Sequence, residues 1–130
     1  MVLSVTVLLG LGGVERSRIH AEETGKFLSR IDPDYMGALS IMVVPGTQLA
    51  RDIDNGTFQA PDPYMLLEEL AIMIEHTNVT HGFFAANHAS NYLPIKVLLP
   101  EEKEKALRAI RHVLNRKDPS LLRPEFLRAL

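Results

Sequence analysis

Three short stretches of the sequence carry residue types that could bind a ligand. Residues 10–13 read Gly-Leu-Gly-Gly, residues 44–47 read Val-Pro-Gly-Thr, and residues 87–91 read Asn-His-Ala-Ser-Asn. Glycines let a ligand approach the backbone and leave N–H groups free to donate. The third stretch is rich in side-chain donors and acceptors, and His88 is the only histidine with such neighbours. Asn87, His88 and Asn91 are therefore candidates for substrate binding.

Each stretch also has an ordinary structural explanation. The first lacks the last glycine of a dinucleotide-binding fingerprint and is typical of a tight turn between a strand and a helix. The second is typical of a turn followed by a helix N-cap at Thr47. The third is typical of Asx-turns. The residues alone leave a ligand site and a plain turn open at all three places.

Several kinds of chemistry are excluded or unsupported. The chain has no cysteine, which excludes a disulfide, a thiolate nucleophile and an iron–sulfur cluster ligated within these residues. His81 and His88 have no carboxylate at metal-ligand spacing, so we expect no metal site. We interpret Glu68 and Glu69 as the polar face of a helix. No arrangement identifies a catalytic residue.

Composition bounds the class of protein. The length of 130 residues fits one domain, and a formal net charge of −2 lacks the footprint of a nucleic-acid partner. The apolar start has no basic region or cleavage site of a signal peptide and is too short to span a bilayer. We therefore expect a cytoplasmic protein without a membrane partner.

The elements that would position these stretches follow from hydrophobic periodicity. Apolar runs predict buried strands at 2–9, 39–44 and 82–86, and helical spacing predicts helices between them and after Pro100. This alternation predicts an α/β fold of adjacent parallel strands joined by crossover helices that lie on one face. Loops that follow parallel strands gather at one end of a sheet, so the three stretches should meet there.

The ordered motifs resemble a known family. A strand ending "LLGLGG", a helix, "IDPDYMGALSIMVVPGTQLARDIDNGTFQAPDPYMLLEEL" and then "ANHASNYLP" resemble the C-terminal half of radical S-adenosylmethionine proteins. The closest branch is that of oxygen-independent coproporphyrinogen oxidase-like and related iron–sulfur oxidoreductases. The resemblance covers most of the chain. It implies the C-terminal part of a partial (β/α) TIM-like barrel, with 1–99 as the strand and helix part of a single domain and 100–130 as a helical extension.

The resemblance also implies a cofactor and its contacts. In such proteins a cluster held by three cysteines cleaves S-adenosylmethionine to a 5′-deoxyadenosyl radical. The matching positions that would lie against the adenosyl group are at the end of the first strand: Leu8, Gly10, Leu11 and Gly12. Those that would contact adenine are at the end of the second: Val43, Val44 and Pro45.

The chain departs from the family pattern in three ways. The cysteine motif and the first half of the barrel are absent, and some members carry a glutamate where this chain has Gly13. We therefore expect the C-terminal portion of an oxidoreductase, inactive alone, that takes an iron–sulfur cluster only if a missing N-terminal half supplies it. One alternative is a stand-alone small α/β module that binds a ligand or a protein without catalysis. Another is a truncated reading frame.

A sheet cut from a barrel leaves an edge and an apolar face exposed. We expect this exposure at Val5, Val7, Leu39 and Ile41. Open edges and apolar patches promote association. The sequence therefore predicts a homo-oligomer or a separate N-terminal half-barrel chain that docks at the first strand.

Overall fold

The computed structural model describes all 130 residues and contains one four-stranded mixed sheet. Its strands lie in chain order: β1 (Ser4–Leu9), β2 (Tyr35–Ser40), β3 (Gly82–Ala85) and β4 (Lys96–Leu99). The first three are parallel, and β4 pairs with β3 in the antiparallel direction. The α/β class and the adjacency of three parallel strands are confirmed. The fourth strand, which was not predicted, runs antiparallel and makes the sheet mixed.

Two strands differ from the sequence-based prediction. We predicted β2 at 39–44, but it pairs from Tyr35, opposite Ser4, to Ser40, opposite Leu9. Strand β2 ends where its partner β1 ends, so the apolar residues that follow Ser40 lie outside the sheet. β4 was not predicted because it has only four residues, with Pro94 and Pro100 close to either end.

Four α-helices connect and follow the strands: α1 (Ser17–Ile31), α2 (Gln48–Asp54), α3 (Pro63–His76) and α4 (Lys103–Arg116). Two of these helices begin with a side-chain N-cap, and the one at Thr47 is predicted from the sequence. The Thr47 side chain accepts from the Ala50 N–H, and the Asp62 side chain accepts from the Met65 N–H. Two single-turn 3-10 helices complete the chain, at Pro119–Leu121 and Glu125–Leu127. None of the helices has both the length and the apolar character needed to cross a bilayer.

The core lies between the sheet and the three long helices. Its buried side chains include Leu9, Met36, Phe84 and Leu99 from successive strands and Met73 from α3. Helix α3 packs against both α1 and α4. The side chains that alternate with these strand residues face the other way.

That other side of the sheet, which we call the open face, has no helix on it. Ser4, Thr6, Tyr35 and Lys96 are exposed there, and Leu39 is half-exposed as expected. The expectation for the other three residues is wrong. Val5 and Val7 are half-buried against the core, and Ile41 is buried. The odd-numbered residues of β1 face the helices, because Leu9 belongs to the core and side chains alternate along a strand.

The two edges of the sheet differ. At the β4 edge, the Leu98 N–H donates to Glu102 Oε1 at 2.9 Å, and the Leu98 carbonyl accepts from the Glu102 N–H at 2.7 Å. At the β1 edge, odd-numbered carbonyls accept from β2, which directs the backbone groups of Ser4 and Thr6 outward. The β4 edge is therefore capped by its own chain at Leu98, whereas the outward backbone groups of Ser4 and Thr6 have no partner at the β1 edge.

Candidate functional site

The loops after β1, β2 and β3 meet at the carboxyl ends of these strands around a cavity of about 410 Å³. We call it the strand-end cavity. Among the predicted residues, Leu8, Leu11 and His88 line it. The remaining lining residues are mostly apolar: Leu39, Ser40, Ile41, Met42, Leu49, Ser90 and Leu130. The first and third of the three stretches therefore meet here as expected, through Leu11, His88 and Ser90. No residue of the second stretch, 44–47, lines the cavity, and Ile41, Met42 and Leu49 line it instead.

The glycines after β1 shape a tight turn against the rest of the chain. Gly10 has a φ of +89°, and a Cβ there would lie 2.8 Å from Ile41 Cγ1 and 2.9 Å from Leu66 Cδ2. A side chain at Gly12 would also be crowded, because its Cβ would lie 3.1 Å from the Arg16 carbonyl oxygen. Neither glycine lines the cavity. Gly10 is therefore packed at the back of the site, while Leu11 lines the cavity. Gly12 lies on the side of α1, where it lines with Leu8 and Leu11 a separate cavity of about 640 Å³.

Glu69 anchors this turn from α3. Its Oε1 accepts from the Gly10 N–H at 3.1 Å, and its Oε2 accepts from Ser17 Oγ at 2.8 Å. Burial raises the pKa of the Glu69 carboxyl, although these hydrogen bonds and His20 act in the opposite direction. The interpretation of Glu69 as part of a polar face is wrong, since the residue is fully buried. Its position three residues after Leu66 on the apolar stripe was the available signal.

Asn91 and Ser90 tie the loop after β3 to the end of β2. Asn91 Nδ2 donates to the Ala38 carbonyl at 2.8 Å, and Asn91 Oδ1 accepts from Ser40 Oγ at 2.7 Å. The Ser40 N–H donates to Ser90 Oγ at 3.1 Å. Asn91 is buried and does not line the strand-end cavity, whereas Asn87 is exposed and also lies outside it. Ser90 and Asn91 therefore hold the loop after β3 to β2 by hydrogen bonds, and His88 is the candidate substrate-binding residue of this stretch that lines the cavity.

His88 lines the cavity, and the chain fixes one of its ring nitrogens. The Ser90 N–H donates to His88 Nδ1 at 3.1 Å, so Nδ1 is an acceptor and the proton of the neutral ring is on Nε2. No protein group accepts from Nε2. In a largely apolar cavity, this N–H can select a ligand by its hydrogen-bond acceptor.

The positions expected to contact adenine lie elsewhere. Val43, Val44 and Pro45 are exposed, and none lines the strand-end cavity. Ile41 and Met42 occupy it instead, because β2 ends at Ser40 rather than at Val44. The turn that follows is closed locally, with Thr47 Oγ1 donating to the Val44 carbonyl at 2.7 Å.

No group of three or more His, Asp or Glu side chains is placed to hold a metal ion. Comparison of the chain with protein-family models, with curated proteins and with solved structures finds no match.

Proposed function

We propose that this chain is the C-terminal portion of a radical S-adenosylmethionine oxidoreductase and contributes a wall of the adenosyl-binding site. The observation that carries the proposal is the strand-end cavity, where Leu8, Leu11 and His88 converge after parallel strands. Ligands of α/β proteins bind outside the carboxyl ends of such strands. The absence of cysteine suits the reducing cytoplasm, which is the location that we propose.

The cavity fits the adenosyl group in size and chemistry. Its volume of about 410 Å³ lies within the range of small-molecule sites. The apolar side chains of Leu8, Leu11 and Ile41 would pack against the faces of the purine. His88 Nε2 would donate to a ring nitrogen. The amide of Leu11, which donates to no group of the chain, is a further donor for the ligand.

Bound S-adenosylmethionine supplies a 5′-deoxyadenosyl radical when a reduced iron–sulfur cluster cleaves it. The cluster does not fit these 130 residues, which include no cysteine and no metal-binding group. The role of this chain in the proposed enzyme is therefore to bind and orient the adenosyl group. The cluster ligands would come from outside the sequence.

The two edges of the sheet support an assembly at β1. The β4 edge is closed by Glu102, whereas Ser4 and Thr6 offer unpaired backbone groups at the β1 edge. The open face beside this edge has no helix on it. We propose that further barrel strands, from a preceding segment or a separate chain, pair with β1 and cover the open face. A homo-oligomer formed through β1 is the other arrangement.

Binding of the adenosyl group is tested by calorimetric titration of the chain with S-adenosylmethionine and with 5′-deoxyadenosine. Leu11→Asp should abolish binding, because it places a charge on the apolar wall. Leu127→Asp is the matched control, since Leu127 is similarly exposed but does not line the cavity. His88→Ala should weaken binding, and His112→Ala on the surface of α4 should not. Equal binding by Leu11→Asp and Leu127→Asp would overturn the proposed site.

The edge is tested by Thr6→Pro. The Thr6 N–H faces outward, so proline there leaves the β1–β2 ladder intact and blocks a new partner strand. Thr6→Val keeps the N–H and serves as the control. Sedimentation should show that wild type and Thr6→Val associate with a copy or a half-barrel chain and that Thr6→Pro does not. Equal association of all three variants would place the interface elsewhere.

A stand-alone ligand-binding module without catalysis remains the second candidate. It is favoured by the structural uses of Gly10 and Asn91, which explain these residues without a cofactor. The titrations distinguish the two, since a general apolar site would bind an aromatic ligand lacking the adenosyl group as tightly as 5′-deoxyadenosine. A requirement for His88 and the purine favours the enzyme.

A further inference from the structure

The segment 122–130, which we call the strap, returns across the carboxyl end of the sheet. Its central residue is Arg128, whose side chain is only 6% exposed. Arg128 Nη2 donates to the Ile41 carbonyl at 2.9 Å, and Arg128 Nε donates to the Ser90 carbonyl at 2.8 Å. The guanidinium stacks on the Tyr92 ring at 4.0 Å. A surface tail would not bury an arginine with this set of partners.

The two carbonyls belong to different walls of the strand-end cavity. Ile41 follows β2 and Ser90 follows β3, and both residues line the cavity. A planar guanidinium donates in fixed directions, so one side chain sets the separation of the two loops. A lysine could not do this, because its ammonium is a single point of charge on a flexible chain.

Further hydrogen bonds hold the strap beside the cavity. Arg123 Nη1 donates to the His88 carbonyl at 2.8 Å, and the Ala129 N–H donates to the Ala89 carbonyl at 3.3 Å. These contacts bring Leu130 to the cavity, which it lines although its side chain is 80% exposed. The Leu130 side chain is therefore available to a ligand rather than committed to the core.

We propose that the strap is a wall of the strand-end cavity, in which Arg128 is a positioning residue and Leu130 limits the size of the ligand. The ligand class is the purine nucleoside of the proposed function, on which this part of the inference rests. Leu130 would contact the bound nucleoside at the cavity mouth and disfavour bulky substituents. Arg128 acts through the two loops and through the placement of Leu130.

Size selection is tested with adenosine and N6-benzyladenosine as probes. Leu130→Ala should lower the ratio of the N6-benzyladenosine Kd to the adenosine Kd by about tenfold or more, which is the scale of discrimination by one apolar contact. Leu127→Ala is the matched control, because Leu127 lies in the strap but not at the cavity. An unchanged ratio in Leu130→Ala would overturn the role of Leu130.

The positioning role is tested by a double-mutant cycle. If Arg128 acts by placing Leu130, Arg128→Ala should relax the same Kd ratio, and adding Leu130→Ala should change it little further. Arg128→Lys should not restore the ratio. Arg111→Ala, an exposed arginine on α4, controls for loss of charge. Additive effects, or an unchanged ratio in a folded Arg128→Ala, would overturn this role.

A measurement without ligand tests the strap independently of the proposed nucleoside binding. Without Arg128, the loops after β2 and β3 should separate more often, so the Ser40 amide that donates to Ser90 Oγ should exchange with solvent faster. The Met42 methyl resonance should shift in Leu130→Ala and not in Leu127→Ala. If the wild type binds neither nucleoside, the proposed function fails while these measurements still decide the strap. Unchanged exchange and an unshifted Met42 resonance would overturn the strap as a wall.

Discussion

The turn at Gly10 makes a quantitative prediction about what holds the back of the cavity. Alanine at Gly10 must adopt a φ of +89°, which costs an L-residue about 1–2 kcal/mol. Its Cβ would also lie 2.8 Å from Ile41 Cγ1 and 2.9 Å from Leu66 Cδ2. Inserting a methyl group into packed side chains costs about 1–3 kcal/mol. Gly10→Ala should therefore lower the free energy of unfolding by about 2–5 kcal/mol, the sum of the two effects.

Gly56 supplies the matched control. Its φ of +82° is almost the same, but a Cβ there would meet nothing within 4 Å. Gly56→Ala should cost only the backbone strain, about 1–2 kcal/mol. The entropy that alanine removes from the unfolded chain is the same in both variants and cancels in the comparison. The difference between the two variants measures the contact with Ile41 and Leu66.

Urea unfolding followed by circular dichroism measures both variants against the wild type. The midpoints should fall in the order wild type, Gly56→Ala, Gly10→Ala, with similar denaturant slopes. If Gly10→Ala were no less stable than Gly56→Ala, the side chains of Ile41 and Leu66 would be able to move away from the new methyl group without a cost in stability. The packing explanation of Gly10 would then be refuted.

Two further predictions concern buried polar groups. Asn91→Ala leaves the Ser40 hydroxyl and the Ala38 carbonyl without a partner, and it should lower the free energy of unfolding by about 1–3 kcal/mol for each of them. Asn87→Ala, at an exposed position, should change the free energy of unfolding by less than about 0.5 kcal/mol. Equal urea midpoints would contradict this. The raised pKa of the Glu69 carboxyl means that the folded state holds its proton more tightly than the unfolded state. The stability that comes from this proton is fully present below the ordinary pKa of 4.5 and is lost as the pH rises through the folded pKa. Glu69→Gln should therefore make the unfolding free energy depend less on pH above 4.5 than it does in the wild type. Parallel curves of unfolding free energy against pH for the two proteins would contradict this prediction.

Local signals predict those parts of the fold that local interactions determine. The predicted N-cap at Thr47 uses a side chain within three residues of its partner, and it is present. The bounds of β2 were wrong because they depend on pairing with β1, about 30 residues earlier, as sheet pairing is a long-range contact. The apolar run "IMVV" continues past the last paired residue, and nothing within it marks that end.

The candidate site was likewise predicted only in part. His88 was predicted because the loops that follow parallel strands gather at one end of a sheet, whereas Leu8 and Leu11 were expected at the site only from the family resemblance. Arg128 was not predicted, since 87 residues separate it from Ile41 and the groups that it reaches on the two loops are backbone carbonyls, which every residue has. Such a contact leaves no trace in the residue type of its partner.

The walls of the strand-end cavity form one connected set of contacts. Glu69 fixes the Gly10 amide, Gly10 packs against the Ile41 side chain, and the Ile41 carbonyl accepts from Arg128. Arg128 in turn holds the Ser90 carbonyl on the opposite loop. Because Ile41 takes part in two of these contacts, a displacement at Gly10 reaches the strap through packed atoms and one hydrogen bond. The glycines after β1 can therefore influence a ligand in the cavity without touching it.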